Sequence, residues 1–298
     1  MYKLTQPRHE GFVEVREGRK LGYADFGSES GRTILWYHGT PGGRRQVPED
    51  ARVMAAKHDL RVIGVDRPGI GYSTGHLYRN ILDFTSDVEI LLNELKVDRC
   101  AVVGLSGGGP YTLATAYAMP DRITAAGVLG GVIPHVGEES MEGGLVGFMS
   151  RLQSSLPFIS LPLSRFLQIA IFGLGPFGIQ ALDLFARFSP EGDQIVFARE
   201  EIKAMFIDDI KGNSRHGITA PLNDLALFLR PWGFSVADIA VPVRWWHGDA
   251  DNFVPLAHAE HLVPLIPDAQ LYLRPGESHL GGLGAAEEVI HVLLELWT

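Results

Sequence analysis

The sequence has one cysteine in 298 residues, Cys100, which excludes an intrachain disulfide. It stands in an apolar run before a glycine-rich turn, where a buried structural thiol is expected. No Lys/Arg cluster is present, and Arg44-Arg45 is a pair rather than a patch. With 26 basic against 35 acidic residues the net charge is −9, which argues against nucleic acid as a partner. No His/Cys/Glu grouping has metal-ligand spacing. No glycine-rich loop carries the Lys-Ser/Thr or the strand-borne G-x-G-x-x-G of a phosphate cradle. Neither a metal nor a cofactor is expected. Met1 to Glu10 is polar and lacks the apolar core of a secretory signal. The most apolar stretch, Phe166 to Ala181, is interrupted by Gln168, Pro176, Gln180 and three glycines and is shorter than a membrane span. Stable membrane insertion is therefore not expected, and the expected location is the cytoplasm.

What is present is an ordinary globular composition, 46% hydrophobic and 20% charged, enough for one large domain with an insertion or for two domains. Gly11–Val15 and Leu21–Asp25 read as an opening hairpin around Gly18-Arg19-Lys20. Short apolar strands follow at Thr33–Tyr37, Arg61–Val65, Cys100–Val103 and Ile123–Val132. Between them, Val53–His58, Leu82–Leu95 and Tyr111–Met119 have helical character. Such alternation predicts an α/β fold whose parallel sheet is covered on both faces. After Pro134 the alternation stops, and Gly137 to about Pro231 reads as helical and rich in Leu, Phe and Ile. It resumes with strands at Val241–Trp246 and Ala269–Leu273 and helices at Leu256–Leu265 and Ala285–Trp297. Residues 1–136 and 232–298 are thus expected to form one core, interrupted by a helical insertion over 137–231.

In such sheets the chemistry sits at the carboxyl ends of the strands. One of those ends reads Gly104-Leu105-Ser106-Gly107-Gly108, a G-x-S-x-G turn from strand to helix. The turn forces Ser106 into a strained backbone and lifts its hydroxyl above the sheet; Gly104 and Gly108 leave room for it. A serine hydroxyl needs a base, and the base needs an orienting acid. His279 follows the last strand in Pro275-Gly276-Glu277-Ser278 and is the candidate base. His58, His258, His261 and His291 fall on helices, and His247 is expected to pack at a strand end. The acid is Asp249 or Asp251, both after Gly248, with Asp224 a distant third that reads as a cap or turn residue. Gly107 supplies one N–H to an oxyanion, and the loop after His38-Gly39 supplies the other, from Thr40 or alternatively Gly39; Pro41 has none to give. Asp66 to Ser73 reads as a shaping loop.

These motifs, His38-Gly39-Thr40-Pro41-Gly42, Asp66 to Ser73, Gly104 to Gly108, Gly248 to Pro255 and Gly276 to His279, resemble the α/β-hydrolase superfamily over nearly the whole chain except the insertion. The resemblance implies a mostly parallel eight-stranded sheet with helices on both faces and a cap inserted after the sixth strand. It implies Asp251 as the acid, because the turn before Val254-Pro255 is where similar chains carry it. It implies a cofactor-free serine hydrolase acting on a small-molecule ester, with Ser106, Asp251 and His279 as triad and Thr40 and Gly107 as oxyanion donors. Ser106 at the elbow stands against epoxide hydrolases and haloalkane dehalogenases, which carry aspartate there. The His-Gly-x-Pro-Gly loop is similar to that of proline iminopeptidases, with Thr40 in place of their second glycine. Those peptidases use cap acids to hold the free amine; here Glu191, Asp193, Glu200, Glu201, Asp208 and Asp209 are expected to be solvated, which ranks peptidase below esterase. Thioesterase, cofactor-free haloperoxidase and a silent ligand receptor are the remaining alternatives. Apolar residues of the insertion, among them Phe148, Leu152, Phe158, Phe166, Phe172 and Phe177, are expected to line an acyl pocket, to dock the lid or to form a homodimer contact.

Overall fold

The computed structural model describes residues 2–144, 147, 180, 183, 187, 189, 191–213 and 220–297. The phenylalanine- and leucine-rich series from Phe148 to Phe177, and His216, lie outside the described residues. Strands β1 (His9–Glu14), β2 (Lys20–Gly27), β3 (Arg32–Tyr37), β4 (Leu60–Val65), β5 (Cys100–Leu105), β6 (Ile123–Leu129), β7 (Val243–Gly248) and β8 (Ala269–Arg274) form one sheet. Its order is β1-β2-β4-β3-β5-β6-β7-β8. The hairpin β1–β2 and the β2–β4 pair are antiparallel, and every later pair is parallel.

The helices are α1 (Glu49–Lys57), α2 (Thr85–Glu94), α3 (Gly109–Ala118), α4 (Glu191–Ala198), α5 (Glu200–Asn213), α6 (Ala220–Phe228), α7 (Leu256–Leu262), α8 (Gly281–Gly284) and α9 (Ala286–Glu295). Alternate residues of a strand face opposite sides, and β5 uses both. Cys100 and Val102 join a core with Val88, Leu91 and Leu92 of α2, Leu113 of α3 and Leu262 of α7. Ala101, Val103 and Leu105 join another with Ala51 and Met54 of α1 and Val289, Ile290 and Leu293 of α9. Burial on both faces is why these strands are apolar throughout instead of alternating with polar residues. Cys100 is buried and free, and burial pushes its thiol up to about 12, leaving it inert.

Helices α4, α5 and α6 belong to the segment between β6 and β7. Val196, Ile202 and Met205 enter the second core, and Leu227 and Phe228 enter the first. Of the acids expected to be solvated, Glu191 and Glu200 are exposed, while Asp193, Glu201, Asp208 and Asp209 are bonded to the protein. Asp208 pairs with Arg45 (2.8 Å) and Arg52 (3.3 Å), and Glu201 with Arg199 (2.6 Å). Asp209 is buried and accepts from the Arg45 amide at 3.1 Å. Arg44, also buried, donates to Asp66 (3.0 Å) and to Asn213 of α5 (2.7 Å). Arg45 and Arg52 of the core thus dock α5 through Asp208 and Asp209.

Candidate active site

Strand β5 ends at Leu105, and Ser106 turns the chain with φ 51° before a short 3₁₀ turn leads into α3. A positive φ is costly for a residue with a Cβ. The turn is tight as well: a Cβ at Gly104 would collide with the Gly108 carbonyl and the Thr112 hydroxyl. The serine is thereby held half-buried at the carboxyl edge of the sheet.

Two loops from the far side of β5 reach it. His279, in the loop after β8, places Nε2 2.8 Å from Ser106 Oγ. Its Nδ1 lies 2.7 Å from Asp251 Oδ2. Asp251 follows β7 and is fully enclosed; its other oxygen accepts the Phe253 and Val254 amides at 2.8 and 2.9 Å. That turn leaves Oδ2 aimed at the imidazole. The Phe253 ring packs beside His279, centroids 5.3 Å apart. Asp249 is exposed and accepts the Gly276 amide at 2.8 Å, tying the loop after β7 to the loop after β8. Of the two aspartates after Gly248, it is therefore Asp251 that meets the histidine.

His247 braces the same turn. The Trp245 indole donates to its Nδ1 (3.1 Å), which leaves the proton on Nε2, and Nε2 donates to Val254 O at 2.8 Å. Burial lowers its pKa, so it stays neutral beside Asp251. His135 packs edge-on against His258, centroids 6.1 Å apart, with its pKa lowered by burial to about 4.

On the near side of β5, the loop after β3 carries His38, Gly39 and Thr40. His38 is buried; the Arg67 amide donates to its Nε2 (3.3 Å), and Nδ1–H donates to Gly39 O (2.7 Å). Burial, then the Arg67 charge, hold its pKa well below the ordinary value. It shapes the loop as a neutral ring. Gly107 and Thr40 meet here: a Cβ at Gly107 would collide with the Thr40 hydroxyl.

Sequence reasoning missed what holds Thr40. Arg67 donates to the carbonyls of His38 (2.6 Å) and Gly39 (2.9 Å) and to Thr40 Oγ1 (2.8 Å). It also clasps Asp224 of α6, at 2.9 and 3.0 Å through Nε and 2.6 Å through Nη2. Asp224 further accepts from Thr40 Oγ1 and from the Tyr111 hydroxyl, both at 2.7 Å. Burial and Asp224 push the Tyr111 pKa well above its usual value, so it remains a donor. The available signal was that Asp224 is the lone charge in Ala220-Pro-Leu-Asn-Asp-Leu-Ala-Leu-Phe228; a buried charge demands a partner. On the other flank Asp193 of α4, also buried, accepts the Leu280 amide at 2.8 Å, next to His279.

Among the described residues no group of three or more His, Cys, Asp or Glu could hold a metal ion. Among them, too, no helix is long and apolar enough to cross a membrane.

Comparison with known proteins follows this geometry. Residues 32–149 match the family model of the alpha/beta hydrolase fold. A probable proline iminopeptidase of Leptolyngbya boryana is 33% identical over 125 residues, which are 41% of this chain and 38% of that protein. The chain thus matches about two fifths of the length of the first iminopeptidase relatives. A non-heme haloperoxidase of Rhodococcus erythropolis is 28% identical over 281 residues, 90% of this chain and 92% of that one. The solved structure of an esterase from Rhodococcus sp. ECU1013 superposes with a TM-score of 0.67 at 24% identity, covering 97% of this chain and 98% of its own. Sheet order, serine turn and the family match over residues 32–149 agree: the chain has the α/β-hydrolase fold.

Proposed function

We propose that the protein is a serine hydrolase that cleaves a carboxylic ester of a small or moderately apolar substrate through an acyl-enzyme. The observation that carries this reading is the chain of short contacts from Ser106 Oγ to His279 Nε2 (2.8 Å) and from Nδ1 to Asp251 Oδ2 (2.7 Å). His279 takes the serine proton as Oγ attacks the ester carbonyl, and Asp251 holds the tautomer and stabilises the imidazolium. The Gly107 and Thr40 amides receive the oxyanion. The alcohol leaves with the proton from His279; water then attacks the acyl-enzyme by the same route, and the acid is released. In this reading residues 137–231 are the cap. The contacts of Asp193 and Asp224 with the loops around the serine support that assignment.

The test is turnover of p-nitrophenyl esters of graded acyl length together with fluorophosphonate labelling. Ser106→Ala is expected to abolish labelling and to lower kcat by about 10⁴-fold or more. Undiminished turnover in that variant sinks the reading.

The iminopeptidase relatives favour a second reading, aminopeptidase action on an N-terminal proline. It requires an acid free to hold the substrate amine. Asp193, Glu201, Asp208, Asp209 and Asp224 are each already bonded to the protein itself, which leaves the exposed Glu191 and Glu200 of that set for such a role. Hydrolysis of proline p-nitroanilide at a rate exceeding that of the esters overturns this ranking.

A further inference from the structure

The Thr40 hydroxyl has one proton, and it is committed. Oγ1 lies 2.7 Å from Asp224 Oδ2, while Arg67 Nη2 donates into the same oxygen at 2.8 Å. The hydroxyl therefore has no proton left for a substrate oxygen, and only the backbone N–H of Thr40 can serve there. The same two contacts fix where that N–H points, because the side chain and the amide share one Cα. Asp224 is 2% exposed and Arg67 0%, so the pair is desolvated and geometrically exact in its fork. Arg67 additionally holds the carbonyls of His38 and Gly39, the two residues before Thr40. The acid comes from α6, 184 positions along the chain from Thr40.

We propose that Asp224 is a positioning residue of the oxyanion loop: paired with Arg67, it takes the Thr40 hydroxyl and so aims the Thr40 amide at the site beside Gly107. The proposal rests on the serine-hydrolase reading. It goes beyond it by making the loop's catalytic geometry depend on α6, a helix far from the loop in sequence. Undocking of α6 would remove oxyanion stabilisation while leaving the contacts of Ser106, His279 and Asp251 in place.

The experiment compares Thr40→Val, Thr40→Ser and Asp224→Asn with the full-length parent. Each is measured for kcat and KM on a p-nitrophenyl ester, for the second-order rate of fluorophosphonate labelling, and for Tm. Thr40→Val keeps the shape and removes the hydroxyl; kcat is expected to fall about 10-fold with KM within about 2-fold, and labelling to slow in parallel. Thr40→Ser restores the hydroxyl and is expected to recover most of that loss. Asp224→Asn leaves Arg67 without its counter-charge and is expected to cost about 100-fold in kcat. If Thr40→Val, folded with a parental Tm, keeps the parental kcat and labelling rate, the proposal is overturned, whatever Asp224→Asn does to Tm. A parent protein that turns over esters with variants unchanged overturns only this proposal. A parent that neither turns over esters nor labels overturns the serine-hydrolase reading as well.

Discussion

The loop bearing His279 and the loop bearing Thr40 approach Ser106 from opposite sides of β5, and beside the serine Asp193 touches the first and Asp224 the second, both buried and both from the segment between β6 and β7. The two aspartates are held differently. Asp224 meets a guanidinium and two hydroxyls. Asp193 meets the Leu280 amide and the Ser278 hydroxyl, among the described residues has no arginine or lysine paired to it, and burial raises its pKa. The loops differ in the same sense. His279 is oriented chiefly by Asp251, a near neighbour at the sheet edge, and needs little from the helices above. Thr40 has no such neighbour; the carboxylate that takes its hydroxyl comes from α6. One flank of the site is thus built by the sheet and lightly braced, and the other is completed by a docked helix.

Breaking the sheet-built flank has the largest expected effect. Asp251→Asn should lower kcat roughly 10³- to 10⁴-fold, because the imidazole loses both its tautomer control and its charge partner. Steady-state turnover of a p-nitrophenyl ester checks it, with Tm measured alongside. A smaller effect is expected at the brace. Asp193→Ala should lower kcat about 10-fold by loosening the Leu280 amide next to His279. Asp193→Asn keeps an oxygen for that amide and should cost under about 3-fold. Asp224→Asn is expected to be far more damaging than Asp193→Asn, since only the former strands a buried guanidinium. Equal losses in the two Asn variants would erase the distinction between the flanks.

The smallest effect concerns docking, with no change in chemistry. Burial, and then the charge of Asp66, push Asp209 of α5 up to about 7. A carboxyl raised in the folded state binds more protons folded than unfolded, so its contribution is fully present below its unfolded value of about 4 and is lost as pH rises through about 7. Asp209→Asn removes that dependence and keeps an acceptor for the Arg45 amide. Its Tm should match the parent near pH 4 and exceed it by several degrees near pH 8. Thermal unfolding at both pH values checks this; a Tm gap that does not widen with pH contradicts it.

Most of the sheet was legible in the chain. The apolar strands, the hairpin and the G-x-S-x-G turn are local patterns, and their spacing sets a local geometry. The contact of Asp251 with His279 follows from two turns at adjacent strand ends. Asp208 and Asp209, expected to be solvated, are not, for an equally physical reason: helical spacing tells which residues share a face but not whether an arginine waits beneath it. Arg45 and Arg52 lie more than 150 positions from the acids of α5 that they meet, and Arg44 lies as far from Asn213.

The sequence by itself determined the element order, the strained serine at the end of β5 and the residues able to act as base and acid, because turn chemistry and hydrophobic period are short-range. Only the tertiary structure showed that Asp251 and not Asp249 meets His279, placed Asp224 inside α6, and joined it to Arg67 and Thr40. Those choices depend on which desolvated charges meet, and a charge 157 residues distant leaves no local trace in the chain.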